Sequence, residues 1–282
     1  MKDKLENICQ ICNNKRDNTC ITVSEMMLQI NDKFLYLQCS NCGCLSLLNI
    51  PDNISKYYPS SYYSFVKEST IHENTLIEKL NKVLRISSMK GHLGTGNFID
   101  FVINKARPIH FSWLKKGLLT LNCKILDVGC GNGFLITELQ QYGFTNLYGI
   151  DLFTKYHGSQ ELVKLYQTDI HAFGEDKFDF IMYNHSFEHV ENPRTELEVI
   201  YKKLNNNETL MIRVPVCDSY AFRQYKENWV QLDAPRHYFL HTRKSMQILA
   251  EQHGLEVNDY IYDSNAFQFT GSVMYVINLY QQ

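Results

Sequence analysis

Four groups of residues have the types and spacing to do chemistry. Cys9-x-x-Cys12 and Cys39-x-x-Cys42 are separated by 26 residues and supply four thiolates, the number that tetrahedral Zn2+ takes. Asp127-Val128-Gly129-Cys130-Gly131-Asn132-Gly133-Phe134 sets three glycines at alternate positions after a short apolar run. Such a loop lets a ligand lie against the backbone. His185-x-x-Glu188-His189 gathers two imidazoles and a carboxylate in five residues. Residues 215–241 hold Arg223, Tyr225, Trp229, Asp233, Arg236, His237 and His241. An imidazole suits proton removal near pH 7, which makes His237 the first candidate base and His185 the second. A hydrogen-bonded structural role is the alternative for each.

The cysteine pairs need a hairpin to meet. Residues 21–30 and 34–38 read as two strands joined at the turn-prone pair Asn31-Asp32. A module of residues 1–50 has little core, so a metal would supply much of its folding energy. A closed four-cysteine site through Cys9, Cys12, Cys39 and Cys42 has no open position and would be structural. The alternatives are two redox or free thiol pairs, and Cys44 in place of Cys42. Cys20 is surplus, while Cys123, Cys130 and Cys217 read as small buried residues.

The glycine stretch needs a strand before it and a helix after it. Residues 125–128 read as a buried strand. Leu135, Ile136, Leu139 and Tyr142 then follow helical spacing up to Gly143. Strand, glycine turn and helix open a doubly wound α/β sheet; a plain tight turn is the blander reading. A dinucleotide fold requires G-x-G-x-x-G. Counted from Gly129 the third position is Phe134, and from Gly131 it is Ile136, so neither count fits. Further strands are predicted over 146–150, 164–168, 178–183, 208–214 and 255–262. Helices are predicted over 193–204, with Pro193 in the first turn, and over 243–253, with Thr242 as N-cap and Gly254 beyond the end. Asn205-Asn206-Asn207 is expected to turn the chain before the 208–214 strand.

Residues 51–123 connect the two parts. Tyr57, Tyr58, Tyr62, Tyr63 and Phe65 form an aromatic cluster suited to packing between modules or to walling a pocket. Leu76, Ile77, Leu80, Val83 and Leu84 have helical spacing. Gly91, Gly94 and Gly96 mark a loop, and Asn97 is placed to cap a helix carrying Phe98, Phe101 and Val102. Residues 267–280 fit a helix better than a strand, because the run is long for a strand. The alternative is an antiparallel strand over the same residues.

The Asp-x-Gly-x-Gly-x-Gly pattern resembles motif I of the class I S-adenosylmethionine (SAM) methyltransferases. The resemblance implies that Asp127, Gly129, Cys130, Gly131, Gly133 and Phe134 border the methionine part of SAM. It implies that Asp151, ending the 146–150 strand beside Leu152, accepts the ribose hydroxyls. Asp169 would meet the adenine amino group, with Ile170 against the ring. Asn184 to Val190 resembles motif IV, which sets Asn184 and His185 against the methionine end; a divalent ion occurs near this motif in some quinone and phenol O-methyltransferases. The inverted zinc-protease reading of His185-x-x-Glu188-His189 is rejected, because that motif sits on a long helix and Pro193 starts a new one here. Residues 229–239 resemble a signature of bacterial methyltransferases that join a Cys-x-x-Cys N-terminus to a class I domain, many of them among sugar and cell-surface glycan modification proteins. The implied architecture is a zinc-ribbon-like module at 1–50, an aromatic and helical connector at 51–120, and a Rossmann-like methyltransferase domain at 121–282. The implied cofactors are SAM and structural Zn2+, and the acceptor is a small molecule of sugar or sugar-nucleotide type. Other readings are an RNA or protein methyltransferase that docks through the ribbon, and a non-catalytic SAM-binding interaction protein.

Composition bounds these readings. The chain has 282 residues, 44% hydrophobic and 21% charged, with a net charge of −2. That is the profile of a globular protein able to bury a core. With a pI near 6.5 there is no basic excess for a nucleic-acid backbone, so nucleic acid is not the expected partner. No run approaches the ~20 apolar residues of a membrane helix, and the first residues are too polar for a signal peptide. The expected compartment is the cytoplasm, where cysteines are more often ligands or buried residues than disulfides.

Overall fold

Thr19–Ser24 (β1), where Ile21 and Val23 alternate with polar residues, and Lys33–Gln38 (β2), with its continuous apolar run over 34–37, pair antiparallel from Thr19↔Gln38 to Ser24↔Lys33. The hairpin is as expected, but its first strand is shorter. At its end the Glu25 carboxylate accepts hydrogen bonds from the Leu28 and Ile30 amides, at 2.9 and 3.1 Å, and folds residues 25–32 into a loop. Leu45–Leu47 (β3) adds to β2. This computed structural model describes residues 7–59, 76–106, 111, 113–114, 119–154, 158–160, 162–174 and 177–277. The expected aromatic cluster at Tyr62, Tyr63 and Phe65 lies outside them.

The chain forms two compact units. One comprises Met1–Ser60, His185–Tyr201 and Arg213–Gln282; the other comprises Ser61–Asn184 and Lys202–Ile212. The second unit begins with Leu76–Leu93 (α1) and Phe98–Ala106 (α2). Gly91 lies inside α1 and not in a loop. A Cβ there would fall 2.2 Å from the Asp100 carbonyl oxygen, so the glycine serves the close approach of the two helices. Asn97 caps α2 as expected: its Oδ1 accepts from the Asp100 amide at 3.1 Å, and Asp100 Oδ2 accepts from the Asn97 amide at 2.9 Å.

Lys124–Val128 (β4), Phe134–Gln141 (α3), Asn146–Ile150 (β5), Gly158–Gln160 (β6), Val163–Tyr166 (β7), Phe178–Asn184 (β8), Pro193–Lys203 (α4) and Leu204–Arg213 (β9) follow. They build a six-stranded sheet in the order β6-β7-β5-β4-β8-β9. β7, β5, β4 and β8 run parallel, and β6 pairs antiparallel at the edge. The order reverses direction beside β4, which is where a doubly wound sheet binds its ligand. The fold is thus the Rossmann-like α/β fold expected. Asn205, Asn206 and Asn207 are in β9 and not in a turn; Asn205 Nδ2 donates to Asp179 Oδ1 at 2.6 Å, which gives that asparagine a place in the strand. Ile125, Ile136, Leu139, Phe144, Leu147, Phe180 and Met182 form this unit's core with Met89 and Leu93 of α1.

In the first unit, Tyr220–Tyr225 (α5), Phe239–Leu240 (β10), Arg243–Gln252 (α6) and Phe267–Val276 (α7) complete the chain. β10 pairs antiparallel with β3, so the hairpin sheet has four strands. Its core joins Val23, Tyr36, Leu45 and Leu47 to Cys217, Phe222, Trp229, Leu232 and Leu240. The N-terminal module therefore does not depend on its own few apolar residues. Thr242 caps α6 through the Ser245 amide at 3.0 Å. Residues 255–262 form no strand; Glu256, Tyr260 and Tyr262 are charged or amphipathic, and Tyr260 instead covers the Arg243 guanidinium at 4.4 Å. Residues 267–276 are helical, as the length of the run indicated. No described helix is long and apolar enough to cross a membrane.

Candidate active site and cysteine cluster

β4 delivers its glycine turn directly to the first turn of α3. Gly131 and Gly133 have φ of +54° and +75°, a region L side chains rarely enter. A Cβ on Gly133 would also fall 2.8 Å from Leu165. Asp151, at the end of β5, faces this turn: its Oδ2 accepts from the Gly131 amide at 2.9 Å and its Oδ1 from the Phe153 amide at 2.7 Å. Asp127 is 2% exposed, and its Oδ1 has no hydrogen-bond partner. Burial, and then the charge of Asp151, pushes its pKa up to about 7. An orphaned buried carboxyl oxygen beneath a glycine turn fits the cationic methionine end of SAM, which would give that oxygen a partner. Phe134 and Leu152 are exposed, Cys130 is half-buried, and Gly129 has the same left-handed conformation as the other two glycines. Asp169 accepts from the Ala172 amide at 2.8 Å, whereas Ile170 is buried. Asn184 ends β8 half-buried.

In the first unit the four expected cysteines converge. Cys9 Sγ lies 3.6 Å from Cys42 Sγ, and Cys12 Sγ lies 3.5 Å from Cys39 Sγ. All four sulfurs are within 4.8 Å of one another. A tetrahedron with metal–sulfur bonds of about 2.3 Å has edges of about 3.8 Å, so the set fits one ion. The Cys42 amide donates to Cys39 Sγ at 3.4 Å. Cys44 stays outside the cluster, buried at the start of β3. Of the other cysteines Cys217 is buried, Cys123 and Cys130 are half-buried, and Cys20 is exposed.

The same unit gathers His185, Glu188, His189 and His237. His185 opens the segment with φ +56°, its amide bonded to the Arg213 carbonyl at 2.9 Å. Phe187–His189 is one 3-10 turn, not the long helix of the inverted protease motif. His185 is 41% exposed at its side chain and Glu188 only 1%, with 3.6 Å between Nδ1 and Oε1. His237 Nε2 is 3.9 Å from the same oxygen. The rings of His189 and His237 meet edge to face at 4.9 Å. Burial pushes the Glu188 pKa up, but His185 and then the charges of His189 and His237 outweigh it and hold it at about 2. Burial, reinforced by His189, lowers His237. Burial drives His241 down to about 4, against the opposing charge of Glu188.

Residues 229–241 are pinned to the N-terminal hairpin. Tyr36 Oη donates to the His237 carbonyl at 2.8 Å. Arg236 is fully buried, with Nη2 2.9 Å from Glu25 Oε1, Nε 3.0 Å from both Asp233 carboxylate oxygens, and Nη1 3.2 Å from the Tyr57 carbonyl. Nothing in the spacing of Glu25 pointed to this role; an isolated acid beyond a strand reads as a solvated turn. His237 and His185 both join the Glu188 cluster, while the cofactor-loop residues form a separate group in the other unit.

Residues 91–260 match a family described as the methyltransferase domain. That is more than half of the chain, which therefore belongs to this methyltransferase family, an enzyme class. Among curated proteins, the human EEF1A lysine methyltransferase 2 is 44% identical over 39 residues, 14% of this chain and 16% of that protein. The Danio rerio protein of the same name is 46% identical over 39 residues, 14% of this chain and 17% of its own. The chain thus aligns with under a fifth of these relatives. Among solved structures, an S-adenosylmethionine-dependent methyltransferase from Listeria monocytogenes is similar over 56% of this chain and 89% of its own, with 15% identity and a TM-score of 0.44. A cyclopropane synthase from Mycobacterium tuberculosis is similar over 76% of this chain and 75% of its own, with 14% identity and a TM-score of 0.42.

Proposed function

We propose that this chain transfers a methyl group from SAM to a hydroxyl of a small sugar or sugar-nucleotide-like acceptor. The observation that carries the donor is the glycine turn with Asp151 bonded to the Gly131 amide and the unpartnered Asp127 oxygen beneath it. SAM would be held by Asp127, Gly129, Gly131, Gly133 and Asp151, and it supplies an electrophilic methyl on a sulfonium. Catalysis comes chiefly from alignment of acceptor oxygen, methyl and sulfur. The carbon–sulfur bond breaks as the carbon–oxygen bond forms, leaving neutral S-adenosylhomocysteine. The hydroxyl proton goes to a histidine. Exposure favours His185 over His237 for that step: His185 is 41% exposed beside Glu188, and His237 is 7% exposed. Glu188 orients the His185 ring. The sugar class rests on the resemblance of residues 229–239 to glycan-modifying methyltransferases. Zn2+ in the Cys9, Cys12, Cys39 and Cys42 cluster is structural in this reading, and the enzyme works in the cytoplasm.

The name of the lysine methyltransferases that align over 39 residues favours a second reading, methylation of a protein lysine. One experiment separates them: incubation with SAM and either nucleotide sugars or protein extracts, with mass detection of added CH2. Isothermal titration should show SAM and S-adenosylhomocysteine binding, and no NAD binding; the reverse would overturn the donor. His185→Gln should retain SAM binding and lose roughly 10²-fold or more in turnover. Undiminished turnover would exclude His185 as the base.

A further inference from the structure

The Glu188 cluster has a feature that proton transfer does not explain. Glu188 Oε2 is buried with no hydrogen-bond partner. A buried carboxyl oxygen with an open lone pair is costly unless a donor or a cation meets it. The two neighbouring histidines are both committed at the same nitrogen. His189 Nδ1 is 2.8 Å from the Arg236 carbonyl oxygen, and His237 Nδ1 is 2.8 Å from the Gln231 carbonyl oxygen. A carbonyl only accepts, so each Nδ1 carries a proton, and in the neutral ring each Nε2 keeps a lone pair. Backbone carbonyls that fix the tautomer in this way are the usual outer shell of metal-binding imidazoles. One ligand atom from each of Glu188, His189 and His237 falls within 4.8 Å of the other two.

We infer that Glu188, His189 and His237 form a second metal site, distinct from the cysteine cluster, that binds one first-row divalent ion through two imidazoles and one carboxylate. Two nitrogens and an oxygen suit Fe2+, Mn2+, Co2+ or Zn2+. Three protein ligands leave positions open, unlike the closed four-thiolate set. The open positions have a use if methyl transfer to a hydroxyl is as read above: an ion there lowers the pKa of a bound hydroxyl, and His185, against the other Glu188 oxygen, takes the proton. The surroundings are otherwise fixed. Asp233 Oδ2 lies 3.8 Å from His237 Nε2 but is held by Arg236, and Tyr58 Oη is 3.4 Å from His189 Nδ1.

The test uses the full chain with Mn2+, which thiolates bind poorly, after one equivalent of zinc per chain has been supplied, which the four thiolates take ahead of the mixed site. Titration followed by electron paramagnetic resonance should show one bound Mn2+ per chain with hyperfine coupling to imidazole nitrogen. Glu188→Gln and His189→Gln should each weaken Mn2+ binding by roughly tenfold or more while zinc content stays at one per chain. Absence of bound Mn2+ in the unaltered chain, or bound Mn2+ without nitrogen coupling, would overturn the site whatever the variants do. So would binding that survives both substitutions. None of these readouts depends on methyl transfer, so a wrong acceptor or donor leaves them interpretable.

Discussion

Arg236 and Glu25 form an ion pair at 2.9 Å with both side chains fully buried, although 211 residues separate them. Breaking such a pair from one side leaves an uncompensated charge in the interior, at about 3–5 kcal/mol. Arg236→Met should therefore destabilise the first unit by that amount. Arg236→Lys should recover little, because one ammonium cannot reach Glu25, Asp233 and the Tyr57 carbonyl together. Urea unfolding followed by the fluorescence of Trp229, in a Trp113→Phe background, measures this. A loss under about 1 kcal/mol, the range of an exposed pair, would show that the pair is solvated.

Removing the zinc proposed for the cysteine cluster should act through the chain segments anchored to it. Arg194 donates to the Gln10 and Ile11 carbonyls at 2.8 and 2.7 Å. Thr242 Oγ1 donates to the Cys42 carbonyl at 2.5 Å, and Lys244 to the Asn41 carbonyl at 2.6 Å. Loss of the knuckles frees the start of α6 and the adjoining segment that carries His237. The second unit has its own core. Chelation, or Cys9→Ser with Cys12→Ser, should cut turnover by about tenfold or more through misplacement while SAM still binds. Calorimetry and a turnover assay on the same sample check this; equal loss of both would mean that the cysteine metal supports the whole chain.

Asp151 couples the end of one strand to the glycine turn after another. Replacing it by Ala removes the acceptor for the Gly131 amide and, in the proposed SAM site, for the ribose hydroxyls. Hydrogen bonds to a charged group contribute about 1.5–3 kcal/mol, so SAM affinity should fall by roughly 10- to 150-fold. Phe134→Ala, exposed beside the turn, should cost less. Titration calorimetry distinguishes the two, and an unchanged affinity in Asp151→Ala would remove Asp151 from the site.

The sequence carried the parts of the fold that depend on local patterning. Residues 125–128 and 147–150 are buried along their strands, so their apolar runs stand out, and the turn between β4 and α3 needs glycine for steric reasons. The convergence of the four cysteines was legible because Cys-x-x-Cys spacing is the spacing that a shared metal ion would impose. The 255–262 segment misled, since alternation of Leu255, Val257 and Ile261 with polar residues looks like a strand but no edge receives it. The Glu25–Arg236 pair was not legible, and neither was the approach of His237 to the Glu188 segment. Both depend on residues distant in sequence whose charge, in isolation, predicts a solvated surface. Arg236 and His237 drew notice only because they sit in a long loop beyond a strand.

Asp127 gives a pH dependence whose sign is fixed by burial. Its carboxyl titrates near 7 in the folded chain and near 4 when unfolded. The native state therefore holds the extra proton between those values, and stability falls as pH rises from about 4 through about 7. Asp127→Asn, which stays neutral, should match the natural chain near pH 4 and exceed it above pH 7 by up to roughly 4 kcal/mol. Thermal unfolding of the SAM-free protein at pH 5 and pH 8 tests this, with the stability gap expected to open at the higher pH. SAM, which brings an ammonium and a sulfonium, should favour the ionised carboxylate. Its binding near pH 7 should then release a proton from the natural chain and not from Asp127→Asn. Calorimetric binding enthalpies in buffers of different ionisation heat report that proton directly. A buffer-independent enthalpy for the natural chain would show that Asp127 is already ionised or does not meet the cofactor.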